Sequence, residues 1–136
     1  MARIVITEFM DEAAVSRLAA RHVTDYAPDL VDRRSDLMPM LADVDVLIVR
    51  NRTRVNAELL EAAPNLRAVG RLGVGLDNID MEACKARGIV VWPATGANDL
   101  AVAEYVITMA LMLLRGAYLA SARVAAGEWP RQDLIG

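Results

Sequence analysis

The residues best placed for chemistry lie in the stretch 69–80, Val-Gly-Arg-Leu-Gly-Val-Gly-Leu-Asp-Asn-Ile-Asp. It follows the apolar segment Leu66–Val69, which reads as a buried strand. It precedes Met81–Arg87, which reads as a short helix stopped by Gly88. A strand, a glycine-rich turn and a helix place backbone N–H groups at the carboxyl edge of a sheet. Unpaired amides and the helix dipole both favour a bound anion there. Gly70, Gly73 and Gly75 permit close ligand approach that a Cβ would hinder. Their order, G-x-x-G-x-G, reverses the dinucleotide fingerprint, so a phosphate cradle does not follow from it. Neither G-x-G-x-x-G nor the P-loop pattern occurs in the chain. A glycine-rich connection that holds no ligand fits the same spacing.

Other reactive residue types are sparse. Cys84 is the single cysteine, which rules out an internal disulfide and fits a reducing, cytoplasmic setting. Beside Met81 and Ala83 on a short helix, it reads as a packing thiol rather than a nucleophile. His22 is the single histidine. No metal site is expected.

The 136 residues are one domain's worth of chain, and 55% of them are hydrophobic, with a mean hydropathy of +0.28. A net charge of −3 and a pI near 5.1 argue against a general nucleic-acid surface. Of the basic residues only Lys85 is lysine, which composition bias explains as readily as anion recognition. The N-terminus lacks the layout of a secretory signal. The uncharged run Tyr105–Leu114 is too short to cross a bilayer, so no membrane is expected.

The elements that must carry the glycine stretch alternate at short period. Strands are expected at Arg3–Thr7, His22–Tyr26, Val44–Val49, Leu66–Val69 and Ile89–Trp92. Between them lie helices at Asp11–Ala20, with Asp11 as N-cap, and at Asp32–Leu41, with Leu37, Met38 and Leu41 inward. A third runs from Asn56 as cap to Ala63, ended by Pro64. Val44–Val49 is almost wholly aliphatic and should be covered on both faces. The alternation predicts an α/β fold with a five-stranded parallel, doubly wound sheet. After the loop Pro93–Asn98 comes a long apolar helix, Asp99–Leu114, with Glu104 as its interior charge. A second helix, Tyr118–Ala126, follows a break at Arg115-Gly116. The first of these is apolar on nearly all sides and expects burial in a larger body than five strands supply.

Taken together, these residues resemble the D-2-hydroxyacid dehydrogenase family, most closely its phosphoglycerate-dehydrogenase-like branch. The resemblance rests on Leu47–Thr53, Val69–Asp80, Gly88–Val91, Asn98–Tyr105 and Gly127–Trp129, and covers roughly residues 45–136. It implies a flavodoxin-like substrate domain over residues 1–98. Residues 99–136 would be a long helix pair leading into a Rossmann domain that binds NAD or NADP and lies beyond Gly136. The family's catalytic Arg, Glu and His would lie there too, and His22 is not placed to replace that histidine. By resemblance, the amides of Val74 and Gly75 hold the substrate carboxylate, and Asn98, capping the long helix, hydrogen-bonds the substrate. Asn51 belongs with the substrate residues. Arg50 and Arg71 match positions that meet a second anionic group, which suits a guanidinium fork. Val74 and Val102 would touch the nicotinamide cofactor, and Glu104 would be structural rather than catalytic, orienting the Asn98 loop or neighbouring backbone. The resemblance further implies a dianionic 2-hydroxy acid of the phosphoglycerate or sulfolactate kind and a homodimer near the long helix. This chain by itself is then expected to be inactive.

A stand-alone flavodoxin-like binding or signalling module is the competing reading. A receiver domain needs an acceptor Asp after the third strand and a Lys after the fifth, where this chain has Arg50 and Trp92-Pro93. A flavodoxin needs a hydroxyl-rich phosphate loop after the first strand, unlike Thr7-Glu8-Phe9-Met10.

Overall fold

A computed structural model describes residues 1–135. Five parallel strands, β1 (Arg3–Ile6), β2 (Val23–Tyr26), β3 (Val46–Val49), β4 (Ala68–Arg71) and β5 (Val90–Pro93), form one sheet in the order β2-β1-β3-β4-β5. This is the flavodoxin-like order that the resemblance implied, in the parallel sheet that the alternation predicted. The crossovers are the helices α1 (Glu12–Ala19), α2 (Arg34–Met40), α3 (Ala57–Ala62) and α4 (Met81–Ala86).

Local sequence explains most helix starts. The Asp11 carboxylate accepts from Ala14 N at 3.0 Å, the Asn56 amide oxygen from Leu59 N at 3.2 Å and the Asp80 carboxylate from Ala83 N at 2.9 Å. Each satisfies one orphan donor of a first turn, worth about 1 kcal/mol. Gly88, at φ +68, ends α4 in the left-handed conformation that glycine adopts without strain.

Side chains alternate across the sheet. Val5, Leu47, Val49 and Val69 face a large core with Leu37, Leu41, Leu59, Leu60 and Cys84, under α2, α3 and α4. Ile4, Ile6 and Ile48 face the other side, where Val15 and Leu18 of α1 cover them. β3 is therefore buried on both faces, as its aliphatic run required. Nothing in the residues up to Ala97 covers that second face at β4 and β5. Val90 and Trp92 are 49% and 68% exposed there.

Two boundaries differ from expectation in ways that matter. β4 begins at Ala68 rather than Leu66 and extends through Arg71, so Gly70 is a strand residue paired with Ile48 and Trp92, not part of the turn. A Cβ on Gly70 would stand 3.4 Å from Ile48 Cγ1, an ordinary contact distance, so the sheet packs closely against Gly70 without demanding glycine there. Helix α2 starts at Arg34 rather than Asp32, and Leu41–Asp43 forms a 3-10 turn before β3.

From Asn98 on, the chain forms a second compact unit. It holds α5 (Asp99–Arg115) and α6 (Ala117–Ala125), joined at Gly116 with φ +63. No residue of α5 is buried, and Leu100, Tyr105, Ile107, Leu113 and Leu114 are all more than half exposed. Among the described residues no single helix is long and apolar enough to cross a membrane. The α5–α6 pair reaches that length and composition only as a bent, broken span.

Candidate functional site

In this strand order the chain reverses its winding between β1 and β3, and the crevice at their carboxyl ends is where such sheets bind ligands. Here the chain fills part of that crevice itself. Glu8, 4% exposed just after β1, accepts hydrogen bonds from four successive backbone amides of the loop after β3. Arg50 N donates to Oε1 at 2.9 Å, Asn51 N to Oε2 at 3.2 Å, Arg52 N to Oε2 at 3.1 Å and Thr53 N to Oε1 at 2.9 Å. The Thr7 and Thr53 hydroxyls meet at 2.8 Å beside it. Burial pushes the Glu8 carboxyl pKa up, but the amides of Thr53, Arg50 and Arg52 and the Thr53 hydroxyl outweigh that. The net pKa lies below the ordinary value, so Glu8 is a buried, ionised carboxylate.

The same loop is held from its carbonyl side by Asn78. Its amide nitrogen donates to Thr53 O at 2.8 Å and, more weakly, to Arg50 O at 3.4 Å. The Arg50 side chain is exposed, with its guanidinium carbon 5.9 Å from the centre of the Phe9 ring. Arg52 pairs with Asp32 at the surface. Asn51 is exposed and borders an open groove with Arg54, Asn56, Asp77 and Asp80. Its backbone, rather than its side chain, is committed.

After β4 the glycine loop has a different character. Arg71 is the last strand residue, and its side chain folds back over the turn that follows. A Cβ on Gly73 would stand 1.6 Å from Arg71 Nη1, and one on Gly75 would stand 3.8 Å from Nη2. The glycines make room for the guanidinium. Arg71 Nε is buried and has no hydrogen-bond partner, and no carboxylate of a described residue forms a salt bridge with Arg71. The turn is tight, with Gly73 N donating to Arg71 O at 2.8 Å and Leu72 N to Val49 O at 2.8 Å. The next two amides, of Val74 and Gly75, donate to no described group, and both residues are exposed. A guanidinium and two free amides therefore share one short segment, where the Asp77 carboxylate also lies, its Oδ1 2.9 Å from where a Gly75 Cβ would stand, without forming a salt bridge to Arg71.

The other expected residues are placed as follows. Asn98 and Val102 belong to the second unit, and Val102 is exposed. Asn98 occupies the N-cap position of α5 but makes no capping hydrogen bond. Its ψ of 10° departs from the extended backbone that aims a cap side chain at the first turn, which corrects the expectation that its amide caps the helix. Glu104 is exposed and hydrogen-bonds no described residue, so it does not orient the Asn98 loop in this structure. His22 lies at the amino end of β2, where its Nδ1 accepts from Ala2 N at 3.4 Å, at the opposite end of the sheet from the glycine loop. Cys84 is buried. Desolvation first, and Asp80 second, push its thiol pKa up, which leaves it inert. No group of three or more potential metal ligands occurs among the described residues. Sequence reasoning missed Glu8 and Asn78. The signal available for Glu8 was an acid directly after the first strand, beside the switch point.

Residues 4–128 match the family model described as the D-isomer specific 2-hydroxyacid dehydrogenase, catalytic domain. The chain belongs to this family. The match begins at residue 4 and so takes in the first strands, which the motifs alone left generic. Over all 136 residues the chain is 58% identical to the (S)-sulfolactate dehydrogenase of Chromohalobacter salexigens, of which it spans 44%. It is 35% identical over its whole length to the D-3-phosphoglycerate dehydrogenase of Methanocaldococcus jannaschii, spanning 26% of that protein. The chain thus spans less than half of each of these dehydrogenases. Among solved structures, a 2-hydroxyacid dehydrogenase from Ketogulonicigenium vulgare superimposes with a TM-score of 0.78 at 25% identity, covering 99% of this chain and 42% of that one. An NADPH-dependent glyoxylate/hydroxypyruvate reductase from Sinorhizobium meliloti, in complex with citrate, gives 0.75 at 26% identity, covering 100% and 42%.

Proposed function

We propose that this chain is the substrate-binding part of a cytoplasmic, homodimeric, NAD- or NADP-dependent dehydrogenase that oxidises a dianionic 2-hydroxy acid of the sulfolactate type. The observation that carries the reading is the pairing of Arg71, folded over Gly73 and in no salt bridge among the described residues, with the free amides of Val74 and Gly75. In this reading the two amides hold the substrate carboxylate. Arg71 and Arg50 meet the sulfonate, with Asn51 beside them, and by the family pattern Asn98 is a further substrate residue. The 58% identity to a sulfolactate dehydrogenase supports the choice of anion.

The stereochemistry is consistent with a D-specific family. In sulfolactate the sulfur-bearing carbon outranks the carboxyl carbon, so the S label describes the arrangement called D in lactate.

The chain carries no dinucleotide fingerprint, so its residues do not form a nucleotide site. The nicotinamide, when bound, supplies the hydride acceptor, and Val74 and Val102 are this chain's apolar contacts to it. Binding and orientation are the chain's share of the work. The proton-transfer group comes from another part of the dehydrogenase, and this chain alone is inactive.

The test compares Arg71→Ala with wild type in the complete dehydrogenase, on (S)-sulfolactate and on D-lactate. Losing a charge-assisted hydrogen bond lowers kcat/KM on the dianion by about ten- to a hundredfold. The loss on the monoanion is smaller, because no partner group is stranded. Arg71→Lys restores only part, since a point charge cannot reproduce the fork. Equal losses on both substrates would remove the dianion assignment.

A further inference from the structure

The loop Arg50–Thr53 turns four successive N–H groups towards one point. Such a run of amides is an anion cradle, of the kind that proteins offer to phosphates and carboxylates. In this chain the anion is internal: Glu8 fills the cradle with both carboxylate oxygens, from a position 4% exposed. The neighbouring Phe9 places its ring under the Arg50 guanidinium, 5.9 Å from the ring centre. The dipeptide Glu8-Phe9 therefore holds Arg50 twice, once by its backbone amide and once by its cationic head. From the other side, Asn78 grips the carbonyls of Thr53 and Arg50 and so ties the loop to the segment that carries Val74 and Gly75.

A buried negative charge beside an anion-binding edge is an electrostatic liability unless it is fully engaged. All of the Glu8 charge is engaged, and by the loop that presents Arg50. We propose that Glu8 is a positioning residue for substrate selection: it fixes the Arg50 loop at the spacing from the Val74–Gly75 amides that a carboxylate and a second anion on one small molecule require. The inference rests on the dianion reading above and deepens it by assigning the selection to a residue that touches no substrate.

The experiment is a double-mutant cycle in the complete dehydrogenase, with Glu8→Gln, Arg50→Ala and both together. Each is scored by the ratio of kcat/KM on (S)-sulfolactate to that on D-lactate. Glutamine keeps the shape but loses the charge, and it turns an NH2 group towards amide donors. The expected result is a fall of about tenfold in the ratio for Glu8→Gln, carried mainly by KM for the dianion. In the Arg50→Ala background Glu8→Gln produces no further fall in the ratio, because the residue it positions is gone. Should Glu8→Gln not yield folded enzyme, Glu8→Asp is scored the same way. It keeps the charge but is too short to reach all four amides. A general structural role would lower both substrates equally, or give losses in the ratio that add in the double mutant, and either result overturns the proposal. A wild-type enzyme with no preference for the dianion would overturn the functional reading and this inference with it. A wild-type preference that survives Glu8→Gln would overturn this inference alone.

Discussion

The two loops that meet at the carboxyl edge of the sheet satisfy their backbones in opposite ways. Residues 50–53 point four amides at a buried carboxylate that the chain supplies, and the loop is closed to any external anion. In residues 73–75, Gly73 N is spent on the turn, while the Val74 and Gly75 amides donate to no described group, beside a guanidinium that forms no salt bridge among the described residues. Both are anion cradles by geometry. One is closed on a carboxylate of the chain itself, and the other keeps two amides free among the described residues. The difference shows that amide convergence alone does not mark a binding site, because the chain can fill the cradle with its own carboxylate.

The largest effect should come from emptying the closed cradle. Glu8→Gln should lower the unfolding free energy by about 1.5–3 kcal/mol, read from the urea midpoint, because hydrogen bonds to an ionised group are the strong ones. The loss should depend on pH. Since folding depresses the Glu8 pKa, its stabilisation is fully present above the ordinary value of 4.5 and disappears as the pH falls through the depressed one. Wild type and Glu8→Gln should therefore converge in stability below pH 4.5. Asp45, whose carboxyl is held low chiefly by the Arg3 amide, should preserve some acid sensitivity in both proteins. A constant gap between the two across the acid range would mean that the loss comes from the glutamine NH2 facing amide donors rather than from the missing charge.

Gly73→Ala should strike the open cradle. Its Cβ would stand 1.6 Å from Arg71 Nη1, so the guanidinium must move, and the backbone strain costs about 1–2 kcal/mol. The functional result should match Arg71→Ala: preference for a dianion falls in kcat/KM ratios while the enzyme remains folded. An unchanged preference would show that the guanidinium need not lie over the turn.

Asn78→Ala should be milder, about 1 kcal/mol in thermal or urea unfolding, because it removes one good hydrogen bond at 2.8 Å and one long one. The smallest effect belongs to Val74→Ala. Val74 is 44% exposed in the open loop, and its truncation should change stability by less than about 0.5 kcal/mol. A large loss there would mean the open loop is packed rather than poised.

The parts of this molecule that follow from neighbours in sequence were legible before any coordinates. Asp11 and Asn56 cap the helices they precede, and the aliphatic run at β3 is buried on both faces. The parallel sheet followed from the alternation of elements, and its flavodoxin-like form from the family resemblance. What was not legible depends on partners far along the chain. Gly70 looks like a turn residue until Ile48 is seen packing against it from β3. Glu8 looks like a surface acid after a strand, since the amides that claim it lie more than forty residues away. Arg71 and the Val74–Gly75 amides could be named from the family pattern. That the glycines leave space for the guanidinium itself was a matter of side-chain direction, which spacing does not encode. Asn98 had the right residue type for a cap and the wrong ψ.

Outside the sheet, one further parallel pairing joins Val55 to Ile79, with Val55 N donating to Asn78 O at 2.9 Å and Asp80 N to Val55 O at 2.8 Å. Both side chains are buried, at 0% and 6% exposure. This pairing fastens the far ends of the two loops together where the strands have already stopped. Neither loop can then swing as an independent lid. In amide hydrogen exchange, Val55 and Asp80 should open together, with a common free energy well above that of free loop amides, while Val74 and Gly75 exchange at once. The two loops are accordingly held as one piece at this edge of the sheet, and a change in one is felt in the other.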